Sequence, residues 1–292
     1  MSAASDSGLT LGVCSWSLRP TSPRDLLEKV RACGLSAVQL DLTPLREFRW
    51  RVDETVGVLK VAGVKILSGM IGFKGEDYTT LKSIEASGGV RPDEHWADNL
   101  RNAEASAILA ARMGLGLVTF HAGFLPHGPA HRDERAKMVD RLRQITDVFA
   151  ARNIRVAFET GQESATTLRE VLEEIDRPTL GVNFDPANMI LYGMGDPVTA
   201  LAELAPRVRQ IHVKDARPSP TPGEWGTEVR VGTGTVDWPA FFSTVRRAGL
   251  NVNLLIEREA GEDRIADIRA AAQLVRERAG AELGMGMAGA LR

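Results

Sequence analysis

Short apolar runs alternate along the whole chain with longer segments whose apolar residues recur at helical spacing. Eight runs read as strands: residues 9–15, 37–41, 64–71, 115–121, 154–159, 180–184, 208–213 and 251–256. They lack a clean in/out alternation, the pattern of strands buried on both faces. Helices are predicted between and after them over 21–33, 51–62, 94–113, 133–152, 164–175, 197–204, 238–248 and 263–278. Thr21-Ser22-Pro23 supplies a hydroxyl cap and an early proline, and Gly34, Gly63, Gly114 and Gly249 stand at helix ends. Met138, Leu142, Ile145 and Phe149 form one apolar stripe.

Eight strand–helix units predict an α/β chain closed into a (β/α)8 TIM barrel. An open doubly wound sheet would place a Gly-rich phosphate turn after the first strand, and Ser15-Trp16-Ser17-Leu18-Arg19 is not one. The expectation is a single barrel domain over residues 1–292, with flexible tails at 1–8 and 280–292. Two segments break the rhythm. Residues 72–93 are Gly-rich and polar, with Tyr78, Leu81 and Ile84, and read as a lid or as a loop holding a short helix. Residues 217–237 form a second long loop.

Composition narrows the class. The 292 residues are 43% hydrophobic and 25% charged, ordinary for a globular chain. A formal charge of -2 with no basic stripe argues against a nucleic-acid partner. Cys14 and Cys33 lack CxxC spacing and read as buried thiols in a reducing compartment. No run reaches the roughly 18 apolar residues of a membrane span. Residues 1–8 have neither the basic nor the apolar region of a signal peptide, so a cytoplasmic location is expected.

The candidate chemistry lies at the strand ends. Glu159, Asp185, His212 and Glu257 close the fifth to eighth strands, and in a barrel these ends meet at one rim. Taken singly, each acid is more often a salt-bridged or solvated group. Together, three carboxylates would repel one another unless a cation sat between them. With one imidazole they suit one divalent metal ion: Mn, Mg, Co or Zn. His121 ends the fourth strand, Trp16 follows the first, and Lys214 lies two residues after His212 on the same face. Arg217 opens the next loop. His127 and His131 read as solvated loop residues.

Phe158-Glu159, Phe184-Asp185-Pro186, His212-Val213-Lys214-Asp215 and Ile256-Glu257-Arg258-Glu259 resemble the xylose-isomerase-like barrel superfamily. Within it they are similar to sugar phosphate isomerases/epimerases, close to the ketose 3-epimerases. The resemblance runs from Gly12-Val13-Cys14-Ser15 to Ala266-Asp267-Ile268. It implies that Glu159, Asp185, His212 and Glu257 ligate the metal, and that Glu159 and Glu257 also move protons. Glu259 competes with Glu257, which directly closes the apolar run. Many relatives carry a His three residues after the sixth-strand Asp, where this chain has Asn188. That departure alters the substrate contact and counts against a multi-metal phosphodiesterase.

The expected function is a divalent-metal-dependent isomerase or epimerase of a small sugar, keto-sugar or sugar phosphate, acting through an enediolate. His121, Asn188, Lys214, Arg217 and Trp16 are the substrate-binding candidates. A metal-dependent lyase or dehydratase, or a 3-keto-glycoside deglycosidase, is the alternative on the same site. An abasic-site endonuclease is disfavoured by the charge and by Asn188, and a non-catalytic binding barrel would carry no metal. The expected partner is a small-molecule sugar, with no nucleic acid or membrane; a homo-oligomer is allowed for.

Overall fold

Parallel hydrogen bonding closes eight strands on themselves. The computed structural model describes residues 9–221 and 223–283. Its strands are β1 (Leu11–Cys14), β2 (Ala37–Asp41), β3 (Lys65–Met70), β4 (Leu117–Phe120), β5 (Arg155–Glu159), β6 (Leu180–Phe184), β7 (Val208–Val213), β8 (Asp215–Arg217), β9 (Thr227–Val229) and β10 (Asn253–Ile256). The barrel order is β1-β10-β7-β6-β5-β4-β3-β2, and β8 and β9 pair apart from it as an antiparallel ribbon.

The helices are α1 (Pro23–Ala32), α2 (Thr43–Arg46), α3 (Val52–Val61), α4 (Leu81–Ser87), α5 (Asp93–Arg112), α6 (Arg132–Ala150), α7 (Ala165–Ile175), α8 (Pro186–Leu191), α9 (Pro197–Leu204), α10 (Trp238–Arg247) and α11 (Arg264–Leu283). Local chemistry sets several starts. Ser22 accepts from Asp25 N at 3.2 Å ahead of Pro23, and Ser164 accepts from Thr167 N at 3.2 Å. Such caps contribute about 1 kcal/mol each. The apolar face of α6 (Met138, Leu142, Ile145, Phe149) is buried as its spacing predicts. Phe120 and Phe158, on adjacent strands, pack with ring centroids 5.1 Å apart.

The barrel and its eight main helices follow the predicted order, and the differences are local. Segment 72–93 contains α4, started by a reciprocal Thr80–Ser83 capping box. Glu76 closes the segment on itself, accepting from Phe73 N at 2.9 Å and Gly89 N at 3.0 Å, and the segment is tied to the barrel layer where Lys74 N donates to Asn99 Oδ1 at 2.7 Å and Val90 N to Ala122 O at 3.3 Å. The 217–237 loop holds the second strand of the β8–β9 ribbon, which the pattern did not predict. Asp215 organises that loop: it accepts from Gly232 N (2.8 Å), Gly234 N (3.1 Å), Val236 N (3.2 Å) and Trp238 Nε1 (3.1 Å). The short helices α2 and α8 are also unpredicted. Helix α11 continues to Leu283, past the predicted end at Arg278, so residues 280–283 are helical rather than a tail. The expected flexible ends at 1–8 and 284–292 lie outside the described residues. No helix among the described residues is long and apolar enough to cross a membrane.

Candidate metal centre and active site

The ends of β5, β6, β7 and β10 bring Glu159, Asp185, His212 and Glu257 together. One ligand atom from each lies within 4.8 Å of all the others, and all four residues are buried. His212 Nδ1 is 3.1 Å from Glu257 Oε2, 3.3 Å from Glu159 Oε1 and 3.7 Å from Asp185 Oδ2.

Two of these atoms are suited to a cation. His212 Nδ1 and Asp185 Oδ2 are buried without a hydrogen-bond partner, a costly arrangement unless something binds them. The opposite ring nitrogen shows why Nδ1 is available. His212 Nε2 lies 2.7 Å from Gln39 Oε1, which can only accept. Nε2 therefore donates to Gln39, and Nδ1 points at the carboxylates, where it would offer its lone pair to a bound cation. Asp185 divides its oxygens similarly. Oδ1 accepts from Ala187 N (2.7 Å) and Asn188 N (3.0 Å) at the start of α8, leaving Oδ2 facing the cluster. Three carboxylates and one imidazole form a donor set for a hard or borderline divalent ion.

A polar layer inside the barrel supports the cluster. Gln39 donates to Thr119 Oγ1 at 2.7 Å, while Gln210 donates to Gln39 Oε1 (3.0 Å) and Asn183 Oδ1 (3.1 Å). Ser68 donates to Gln210 Oε1 at 2.6 Å, and Asn183 donates to Glu159 Oε2 at 3.2 Å. Sequence reasoning did not single these residues out. Their signal was a polar residue inside an apolar strand, as in Ala37-Val38-Gln39-Leu40 and Gly181-Val182-Asn183-Phe184.

The remaining candidates divide. Asn188 is buried; its Nδ2 donates to Glu159 Oε1 at 2.9 Å and its Oδ1 is 3.4 Å from Lys214 Nζ. Gly161 permits this approach, since a Cβ there would collide with Asn188 and its φ is 133°. Lys214 is buried, with Nζ 3.3 Å from Glu257 Oε2 and 2.9 Å from Glu259 Oε2. Trp16 Nε1 donates to Glu257 Oε1 at 2.6 Å. His121 Nε2 is 3.6 Å from Glu159 Oε1, and Tyr78 packs edge-on against its ring. Arg217 does not join them: it is exposed, and its guanidinium donates to the Thr233 carbonyl at 2.7 Å and 3.1 Å. The carbonyl of the folded-back loop captures it across the β8–β9 ribbon. His131 is exposed, as expected.

Electrostatics follow from burial set against pairing. Burial raises the Glu159 carboxyl, but His121 and His212 outweigh it and hold the group below its ordinary value. Burial likewise opposes ionisation of Glu257, and Lys214 and His212 overcome it. Burial opposes the Lys214 charge too, yet Glu257, Glu259 and Asp185 keep its ammonium well above the usual lysine value. Burial also pushes the Cys14 thiol up to about 12. Both cysteines are free and buried, and Cys14 is an inert neighbour of the His212 ring.

Above the cluster lies a cavity of about 580 Å³, lined in part by Trp16, Tyr78, His121, Trp225, Glu257 and Glu259. That volume suits a small molecule.

Residues 27–278 match the profile of the xylose isomerase-like TIM barrel. The chain belongs to that family. A xylose isomerase domain protein from Planctomyces limnophilus is 32% identical, with a TM-score of 0.81 over 88% of this chain and 93% of that one. A 3-oxo-isoapionate decarboxylase from Pectobacterium atrosepticum is 29% identical over 131 residues, 44% of this chain and 47% of its own length. A 3-dehydroshikimate dehydratase from Bacillus anthracis is 30% identical over 120 residues, 40% of this chain and 42% of its own. The alignments thus span less than half the length of these two curated relatives. A D-allulose 3-epimerase from Methylomonas sp. (TM-score 0.69) and an L-ribulose 3-epimerase (0.72), each 15% identical, share the fold.

Proposed function

We propose that this chain is a divalent-metal-dependent epimerase or isomerase of a small keto-sugar. One observation carries the reading. Two glutamates from strands separated by β6 and β7 converge on the same imidazole nitrogen at the floor of a sugar-sized cavity. A divalent ion bound there would supply Lewis acidity, lowering the pKa of a C–H beside a carbonyl.

The chain's own groups then divide the proton work. Glu159, oriented by the Asn188 and Asn183 amides, takes the proton from the carbon next to the carbonyl. Glu257, fixed by Trp16 and Lys214, returns a proton from the other side of the enediolate. The Lys214 ammonium offsets part of the excess negative charge, and His121, on the cavity wall, would meet a substrate oxygen.

The test is solvent deuterium exchange. Protein reconstituted with Mn²⁺ and incubated in D2O with a ketose panel should wash out one C–H signal by NMR, with product mass otherwise conserved. Glu159→Gln should slow exchange by about 10²–10⁴-fold, the usual worth of a general base. Full exchange by chelator-stripped protein or by Glu159→Gln would sink the mechanism. The partial identity to a dehydratase and a decarboxylase favours one second reading, a lyase on the same site. Loss of water or CO2 by mass spectrometry would select it.

A further inference from the structure

A second cavity, of about 290 Å³, lies between α4 and the loops that follow β4 and β5, and none of the four strand-end ligands lines it. Two neighbouring side chains on its wall lack partners. Gln162 donates to Tyr192 Oη at 3.4 Å, but its Oε1 is buried without a hydrogen bond. Glu163 is 6% exposed, and no hydrogen bond or ion pair with a described residue reaches its carboxyl. Burial alone pushes that acid up to about 8. The enolisation mechanism uses neither group, and each is costly to bury unless something donates to it.

The other charged groups of this wall are matched or solvated. Arg91 Nη2 lies 2.7 Å from Glu134 Oε1, and its Nη1 donates to the Glu85 carbonyl at 3.0 Å. His131 Nδ1 is 3.7 Å from the second Glu134 oxygen, and His127 Nδ1 is 3.4 Å from the Leu125 carbonyl. Glu85 is exposed. The wall thus leaves a buried acid and a buried amide oxygen for a ligand that donates. A metal ion would need about four or more donors, and among the described residues the strand-end four are the group with metal-ligand spacing. An organic ammonium needs acceptors for its N–H groups and apolar surface for its carbons. Phe124, Leu125, Pro126 and Met194 supply that surface, and the face of the Phe124 ring attracts a cation. We propose that this cavity is a second binding site, for a small organic ammonium whose N–H groups donate to Glu163 and Gln162.

Titration calorimetry at about pH 8.5 tests it, where the acid is mostly ionised and an alkylamine is still charged. n-Butylammonium should bind Mg²⁺-loaded protein at one saturable site, roughly tenfold or more tighter than its neutral counterpart n-butanol, as a charge-assisted hydrogen bond predicts. Glu163→Gln should remove that preference. Met194→Trp fills the cavity with the carboxyl in place and should abolish binding; thermal melts check that both variants fold. No saturable site, or equal binding of the alcohol, overturns the proposal and leaves the cavity to water. An ammonium affinity unchanged in either variant overturns it too, since the amine is then held by other acids. So does a second equivalent of Mg²⁺ that Glu163→Gln loses, which would make the ligand a metal ion.

Discussion

At the scale of single residues, the centre depends on groups that would not touch the metal. Gln39 accepts from His212 Nε2 and so decides which nitrogen faces the cluster. Gln39→Leu should weaken Mn²⁺ affinity about 10–100-fold, the usual effect of removing such a partner, and Gln39→Glu should restore most of it. Calorimetric titration reads both; a merely structural role would lower the melting temperature and leave the affinity alone. Glu163 is a different case. It is buried with no hydrogen bond to a described residue, and burial pushes its carboxyl up from 4.5 to about 8. Between those values the folded state binds the proton and the unfolded state does not. Its contribution to stability is therefore full below about 4.5 and is lost as pH rises through about 8. Relative to wild type, Glu163→Gln should gain roughly 1–3 kcal/mol between pH 5 and pH 8.5. Urea denaturation at both pH values measures it, and parallel curves would mean that the carboxyl is not raised.

At the scale of elements, the loops after the strands are built around buried acceptors. Asp215, directly after Lys214, receives three backbone N–H groups of the 217–237 loop and the Trp238 indole, and so ties that loop to the start of α10. Asp215→Ala strands these donors and should cost about 2–4 kcal/mol, measured as a lower urea midpoint. An unchanged midpoint would show the loop to be anchored by other contacts. Thr160 does related work between strands: it accepts from Asp185 N at 2.8 Å and donates to Asp185 O at 3.0 Å, aligning the ends of β5 and β6. Segment 72–93, closed on itself around Glu76, lines the cavity and places Tyr78 against His121.

At the scale of the molecule, the barrel forces like charges together and leaves the cluster's balance to a ligand. A metal that binds only the folded state stabilises it by about 2.7 kcal/mol at a free concentration of 100 Kd. For a chain of this size that corresponds to roughly 5–10 °C in melting temperature. Chelation should lower the melting temperature by that order and added Mn²⁺ should restore it, by differential scanning calorimetry. A melting temperature indifferent to both would remove the metal centre.

Apolar periodicity alone determined the eightfold alternation, because strands buried on both faces and helices with one apolar stripe leave different spacings in the chain. It also marked four strand ends bearing metal-type donors, since an acid or imidazole closing an apolar run stands out locally. Asn188 was legible as a departure, but its place between Glu159 and Lys214 was not. Tertiary structure decided what depends on direction across the barrel. It turned Gln39, Thr119, Asn183 and Gln210 inward into one network and left Arg217 on a backbone carbonyl. It also closed Glu259 onto Lys214. Those pairings join residues far apart in the chain, and the distances that select one partner over another exist only once the barrel has closed.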